Sequence, residues 1–385
     1  SFTPPEGYQA LNAANTRPVN VISRPDQYVG VTTYTGTTGG GTIKDENILF
    51  TPDLVWVKNR TSAEDHKLYD TVRGESGGNF YNLESNTTAA STTESGAVTS
   101  MIEGGFTSTG GGHVNSNGAP FVSWMWKAGG SKNTFNVDGV GYATTTAAGL
   151  TAGSVSPTGA SVGTKQGFSI IKWTAPDPQD NTATVPHGLT QKPDFWAVKS
   201  LDSARDWICY TEQVDGSLDF MHFNNTDAKA NSSATAPTAT TFGVYGNDIN
   251  TAGEDQIAYL WHDVPGLQKF GSYTGNESTD GPYVELGFRP AVLIIKNADG
   301  DHANGANWFI FDGTRDPDNP VRLNLNPNDS SVEEDDTNGT LDFLSNGFKM
   351  RSSGTHPNGS GNTIIYAAWA DAPTVDLFGG GANAR

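Results

Sequence analysis

Three times along the chain an apolar run follows a proline and ends on a lysine. The runs are Leu54-Val55-Trp56-Val57-Lys58 after Pro52, Phe195-Trp196-Ala197-Val198-Lys199 after Pro193, and Val292-Leu293-Ile294-Ile295-Lys296 after Pro290. Each is short, rich in β-branched and aromatic residues, and bounded by turn-forming residues, which predicts a strand. After a polar loop a second strand-like segment follows, reading Asp65-His66-Lys67-Leu68-Tyr69-Asp70, Asp206-Trp207-Ile208-Cys209-Tyr210 and Asn307-Trp308-Phe309-Ile310-Phe311-Asp312. Asparagine-bearing turns come next, near Asn86, Asn224 and Asn326, and then the pairs Gly105-Phe106, Phe242-Gly243 and Gly347-Phe348. Each series closes on an aromatic strand, Phe121-Val122-Ser123-Trp124, Ile257-Ala258-Tyr259-Leu260-Trp261 and Ile365-Tyr366-Ala367-Ala368-Trp369, and opens on another that carries Tyr34, Trp173 or Tyr273.

A fixed order recurring at a fixed spacing is the signature of repeated units. The expected fold is all-β: three tandem antiparallel β-sandwich repeats, jelly-roll or lectin-like, of about 100 residues each. The expected divisions are an extended lead-in at 1–27, repeats at 28–129, 167–266 and 267–372, and a tail at 373–385. Between the first two repeats, 130–166 is rich in Gly, Ala, Thr and Ser, which on composition reads as a connector.

Side chains alternate across a strand, so parity separates the two faces of each proline strand. Val57, Val198 and Ile295 share an apolar face with Val55, Trp196 and Leu293 and are expected in the core. Lys58, Lys199 and Lys296 share the other face with Trp56, Ala197 and Ile294, which predicts a wetter surface carrying Trp56. In the closing strand Trp124, Trp261 and Trp369 are aligned as one core position. That alignment places Trp126 opposite Asp263 and Asp371, where an exposed side chain is expected.

Composition narrows the function classes. The 46 glycines and 20 prolines agree with many turns, and the formal charge of −19 argues against nucleic acid or a bare anionic membrane as a partner. The one cysteine, Cys209, allows no internal disulfide and reads as a small buried strand residue. No apolar run is long enough to span a bilayer and no signal-peptide pattern is present; the start at Ser1-Phe2-Thr3 reads as the continuation of an upstream segment.

Signals for chemistry are weak. Gly159-Ala160-Ser161-Val162-Gly163 spells a nucleophile motif but lacks the strand-to-helix context that exposes such a serine. The histidines show no zinc-ligand spacing, and Asp299, Asp301 and Asn304 with Asp316 and Asp318 offer hard oxygen ligands for calcium, although ordinary Asx turns account for them better. The acidic run Glu333-Glu334-Asp335-Asp336 reads as a solvated turn. Glycan binding asks for exposed aromatic faces flanked by polar groups, and the candidates are Trp56, Trp126, Trp173 and His113. No catalytic residue is assigned and a non-enzyme is expected.

Several stretches point to a family. Asp138-Gly139-Val140-Gly141-Tyr142, Gly149-Leu150-Thr151-Ala152-Gly153, Pro157 through Ile171, Pro186-His187-Gly188-Leu189, Phe270 through Asn276, Gly287 through Ala291 and Asp342 through Lys349 resemble tail and fibre proteins of tailed bacteriophages of the marine and cyanobacterial type. The resemblance runs over nearly the whole chain to Ala382-Asn383-Ala384-Arg385 and departs at Cys209 to Glu212 and at Pro373 to Gly381. It implies a virion-surface location, lectin-like sandwich modules, a homotrimer, other virion proteins as partners and attachment to a host-surface glycan or protein. It also implies that 130–166 is ordered, against composition. Two alternatives stand beside it: a structural decoration or fibre-shaft protein, and a polysaccharide depolymerase.

Overall fold

A computed structural model describes residues 21–177, 180–300, 306–335 and 340–371. The expected 1–27 lead-in is described from Val21 on, and Ile22 donates its N–H to the Pro265 carbonyl at 3.0 Å. The expected tail at 373–385 lies outside the described residues, as do Asp301 and Asn304.

Nearly all regular structure is antiparallel β, as the period-two pattern and turn-rich composition predict. One strand order, opening–closing–proline–second, occurs in three sheets. In the first unit it is Val29–Thr35, Pro120–Trp126, Leu54–Asn59 and Lys67–Asp70. In the second it is Phe168–Thr174, Asp255–Trp261, Phe195–Ser200 and Ile208–Thr211. In the third it is Gln268–Thr274, Thr363–Ala370, Pro290–Asn297 and Trp308–Asp312.

Each sheet is covered on one face by its own smaller layer. That layer holds Gly105–Ser108 in the first unit, Thr241–Gly243 in the second and Gly347–Met350 in the third, so the recurring Gly-Phe pairs supply its inward ring. The covered faces form separate cores. Val55, Val57 and Phe106 meet in one, Trp173, Trp196, Val198 and Phe242 in the next, and Leu293, Ile295 and Phe348 in the last.

The opposite, lysine-bearing faces are not wet. They pack against one another and build the largest core cluster, which draws Trp56, Trp124 and Trp126 from the first unit, Ala197, Trp207 and Tyr259 from the second, and Ile294, Trp308 and Trp369 from the third. Lys58, Lys199 and Lys296 are fully buried there. A lysine on a strand face predicts water, but each of these ammonium groups is solvated by carbonyls instead. Lys199 donates to the carbonyls of Thr88 and Ser200, at 3.1 Å each, and Lys58 to those of Asn59 at 2.9 Å and Ser330 at 3.0 Å.

Register corrects the alignment of the closing strands. Leu54, Phe195 and Val292 are equivalent in the proline strands, and they pair with Trp126, Trp261 and Trp369. Trp124 is therefore the counterpart of Tyr259 and Ala367, and Trp126 that of Trp261 and Trp369. A doublet of tryptophans two residues apart made the sequence alignment slip by one period. Trp126, Trp261 and Trp369 form a closed triangle of edge-to-face rings, with centroids 5.3, 5.8 and 6.3 Å apart. Beside the triangle lies a void of about 30 Å³, and the indole N–H groups of Trp126, Trp261 and Trp369 have no hydrogen-bond partner.

The contacts between units close a ring of approximate threefold character. Ser91 donates its N–H to the Leu201 carbonyl at 2.9 Å, Lys229 to that of Ala298 at 2.7 Å and Glu333 to that of Arg60 at 2.8 Å, and the three acceptors each follow the proline strand by one residue. Trp207 of the second unit donates its indole N–H to the Glu84 carbonyl of the first at 2.7 Å, and Trp308 of the third to His222 of the second at 3.0 Å. Trp124 donates to Asp312 at 3.0 Å, and its counterpart Tyr259 to Asp70 at 2.7 Å.

The supposed connector is part of the second sheet. Phe135–Val137, Val140–Tyr142 and Pro157–Gly163 extend it past the opening strand. Gly, Ala and Ser in Pro157–Gly163 read as a linker, but five consecutive buried positions there call for small side chains, and the ladder is held by backbone. The nucleophile motif lies on this strand: Ser161 is buried, accepts from the Gly129 N–H at 2.9 Å and donates to the Gly130 carbonyl at 2.8 Å.

Candidate functional site

The ring has three equivalent seams, and comparing them locates the site. Where the third unit meets the first, Glu333 fills the seam: it binds Arg60 at 2.6 Å and Arg315 at 3.0 Å. Where the second meets the third, the equivalent residue is Lys229, which reaches Asp215 and Asp219. Where the first meets the second, the same position is Ser91, and Leu201 stands in place of Arg60. Two short side chains leave what two long ones would fill. The result is a crevice of about 210 Å³ lined by Arg73, Tyr81, Ser91, Lys172, Asp202 and Asp255, with Leu201 at its floor.

Its polar groups are fixed by the sheets that carry them. Arg73 is the counterpart of Arg315: each follows the second strand, pairs with the aspartate that ends it, and donates to a carbonyl on it, Leu68 at 2.8 Å and Ile310 at 2.9 Å. The Arg73 nitrogen that in the other seam would meet Glu333 lies 3.4 Å from the Ser91 hydroxyl. Burial works against the Arg73 charge, but Asp70 and Tyr259 outweigh it and hold the guanidinium above its ordinary pKa.

From the second unit, Lys172 on the opening strand binds Asp255 on the closing strand at 2.8 Å. Burial works to raise the Asp255 pKa, and the bonds from Lys172 and Thr174 prevail, holding the carboxylate below its ordinary range. Asp202 accepts the Asp255 N–H at 2.6 Å. The crevice thus offers two cations, two carboxylates, a hydroxyl and the Tyr81 ring, with no excess of either sign. A neutral ligand bearing several hydroxyls suits such a lining, because each hydroxyl both donates and accepts.

The residues singled out from sequence lie elsewhere. Trp56 and Trp126 are 4% and 2% exposed and Trp173 fully buried, so none has a ring face open to a sugar. Trp56 is held by His66 Nδ1 at 2.9 Å, Trp126 by the tryptophan triangle, and Trp173 packs on Phe242 in the core of the second unit. Their burial follows from the packing of units against one another, which no single-strand pattern shows. His113 alone is exposed, with 43% of its side chain open; it stands 3.7 Å from both Glu64 and Glu94, on the outer side of the first unit.

Nor do the calcium candidates that are described, Asp299, Asp316 and Asp318, form a metal site. Asp299 accepts the Thr363 N–H at 2.6 Å and Asp316 that of Arg322 at 2.7 Å, bonds of loop and turn geometry, and among the described residues no group of acidic or histidine side chains has the arrangement of a metal site. Cys209 is buried in the shared core and burial pushes its thiol pKa well up, so it is inert. Glu333 is no part of a solvated turn but the plug of a seam.

Fold and site together define a class: an all-β protein of three sandwiches closed into a ring within one chain, with a polar crevice at one seam. Residues 24–373 match the family model described as Domain of unknown function (DUF7483), and the chain belongs to that family. No curated protein and no solved structure matches it.

Proposed function

We propose that this chain is a non-enzymatic attachment module, carried on a tail fibre or another surface fibre of a tailed-phage virion, which binds a neutral host-surface glycan in the crevice between its first and second units. The observation that carries the binding site is the crevice at the seam of the first and second units, where Ser91 and Leu201 stand in the places that Glu333 with Arg60 and Lys229 with Ala298 hold at the other two. The virion setting and the other virion proteins as partners rest on the sequence likeness to tail and fibre proteins. About 210 Å³ holds one sugar ring with its water rather than a long stretch of chain, so a single site is weak and gains by repetition on a particle.

Binding without cleavage is the reading the carboxylates favour. A glycosidase needs one carboxyl with a raised pKa to protonate the leaving oxygen. Asp255 is held the other way, by Lys172 and Thr174, and Asp202 is tied to a backbone N–H.

The test is an array of host-surface polysaccharides probed with the protein and with Ser91→Glu. The variant places a carboxylate where Glu333 meets Arg315, and is expected to fill the crevice, keep the fold and lose the glycan signal about tenfold or more. Equal signal from both proteins, or none above unrelated-sugar controls, overturns the proposal. Release of oligosaccharides from purified capsule overturns its non-enzymatic part.

A further inference from the structure

A second comparison across the three units exposes a different place. Each unit has an asparagine just before its closing strand, at the end of a short helical turn: Asn115 in Gly112–Asn115, Asn250 after Gly246, and Asn358 in Thr355–Asn358. All three are essentially buried, and each reaches the segment that leaves the opening strand. In the third unit the amide is fully used. Its Oδ1 accepts the Asn276 N–H at 2.9 Å, and its Nδ2 donates to Asn276 Oδ1 at 3.0 Å, to the Ser278 carbonyl at 3.0 Å and to the Ser352 carbonyl at 2.7 Å. In the second unit Nδ2 meets the Asp177 carbonyl, while Oδ1 is unpartnered because Pro176, where Asn276 would be, has no N–H to give.

In the first unit the pattern is reversed. Asn115 Oδ1 accepts the Thr37 N–H at 2.8 Å, which fixes the orientation of the amide, and Nδ2 has no partner. Threonine at 37 lacks the amide oxygen that Asn276 supplies. The loop then runs through Gly39, Gly40 and Gly41 with φ of +89°, +86° and +154°, a path that side-chain-bearing residues avoid. A crevice of about 160 Å³ lies beside it, lined by Asn115 together with Thr33, Thr35, Thr37, Thr42 and Lys44.

A buried amide donor without an acceptor is costly, and here the acceptors missing relative to the third unit are amide oxygens. We infer that this crevice is a second binding site, specific for the acetamido group of an N-acetylated sugar. The carbonyl of the ligand takes the place of Asn276 Oδ1 on Asn115 Nδ2, the threonine methyls receive the acetyl methyl, and the threonine hydroxyls and Lys44 face the ring hydroxyls. The three glycines let the loop give way as the ligand reaches the amide. The site is independent of the seam between the first and second units and shares no residue with it.

Saturation-transfer NMR with N-acetylglucosamine as the probe, and with glucose and an N-acetylated dipeptide as controls, tests this. Asn115→Asp retains the acceptor for the Thr37 N–H and replaces the free donor with a second, charged acceptor that repels a ligand carbonyl. Thr37→Asn supplies the internal oxygen of the third unit, so the protein occupies its own site and its melting temperature rises. The expected result is a strong acetamido-methyl response with the parent protein, reduced about tenfold in both variants and unchanged in Ser91→Glu. Any of four results overturns the inference: no response to N-acetylglucosamine, an equal response to glucose, a response to the dipeptide alone, or an undiminished response in variants that remain folded. Loss in Ser91→Glu but not in Asn115→Asp would assign the sugar to the other crevice and also count against it.

Discussion

Lys58, Lys199 and Lys296 hold one position in three sheets, and burial lowers the pKa of each to about 8. A base with a depressed folded pKa is bound more tightly to its proton in the unfolded chain. Its favourable contribution is therefore full above the unfolded value of about 10.5 and is lost as pH falls through about 8. Two outcomes follow for Lys199→Met. At pH 7 the variant should be less stable by about 1–3 kcal/mol, because the carbonyls of Thr88 and Ser200 lose their donor. Between pH 8 and about 9.5 the parent should gain on the variant by about 1–2 kcal/mol, measured by urea unfolding at both values. A gap that narrows with pH contradicts the assignment. The lysines themselves are plain in the sequence, but what solvates them is not: Thr88 belongs to another unit and Ser330 to a third, so the reading of a wet face had no access to the groups that make it dry.

At the scale of elements, strand order was legible because proline, glycine and aromatic residues punctuate each unit in the same sequence. Register was not. Trp124 and Trp126 lie on the same face two residues apart, and only their partners, Trp56 and Leu54, decide which matches Trp261 and Trp369. The triangle that results is a joint between all three sheets. Trp261→Ala should cost about 3–5 kcal/mol in chemical denaturation, as for a large buried aromatic, and Trp126→Ala about the same. A small loss at Trp126 would restore the surface position that alignment by eye gave it. The strands of 130–166 escaped composition for a related reason: small residues mark a flexible linker when alone and a close-packed strand when a neighbouring strand is present. Of the candidate site, the Ser91 substitution was in the sequence all along. It becomes visible only once Ser91, Lys229 and Glu333 are known to be equivalent, which depends on the hydrogen bonds that close the ring.

At the scale of the whole molecule, the faces that three separate sandwiches would use to form a trimer are already buried within one chain. The homotrimer of whole chains implied by likeness to fibre proteins would assemble through another surface. Light scattering distinguishes the two, giving the mass of one chain, 40.7 kDa, if the units close only on themselves, and the net charge of −19 opposes self-association at low salt. A mass three times larger would show that another surface assembles the chain. Ring closure also makes the units unequal, since each seam is free to change separately. One carries the Arg60–Glu333 ion pair, one carries Lys229 beside Ala298, and one has a crevice. The most direct measurement is a crystal structure after soaking with the best-binding neutral oligosaccharide. The account predicts sugar between Arg73, Tyr81, Lys172 and Asp255, and nothing at the seams closed by Lys229 and Glu333. Sugar at those plugged seams, or an empty crevice in a crystal that has bound the ligand elsewhere, would contradict it.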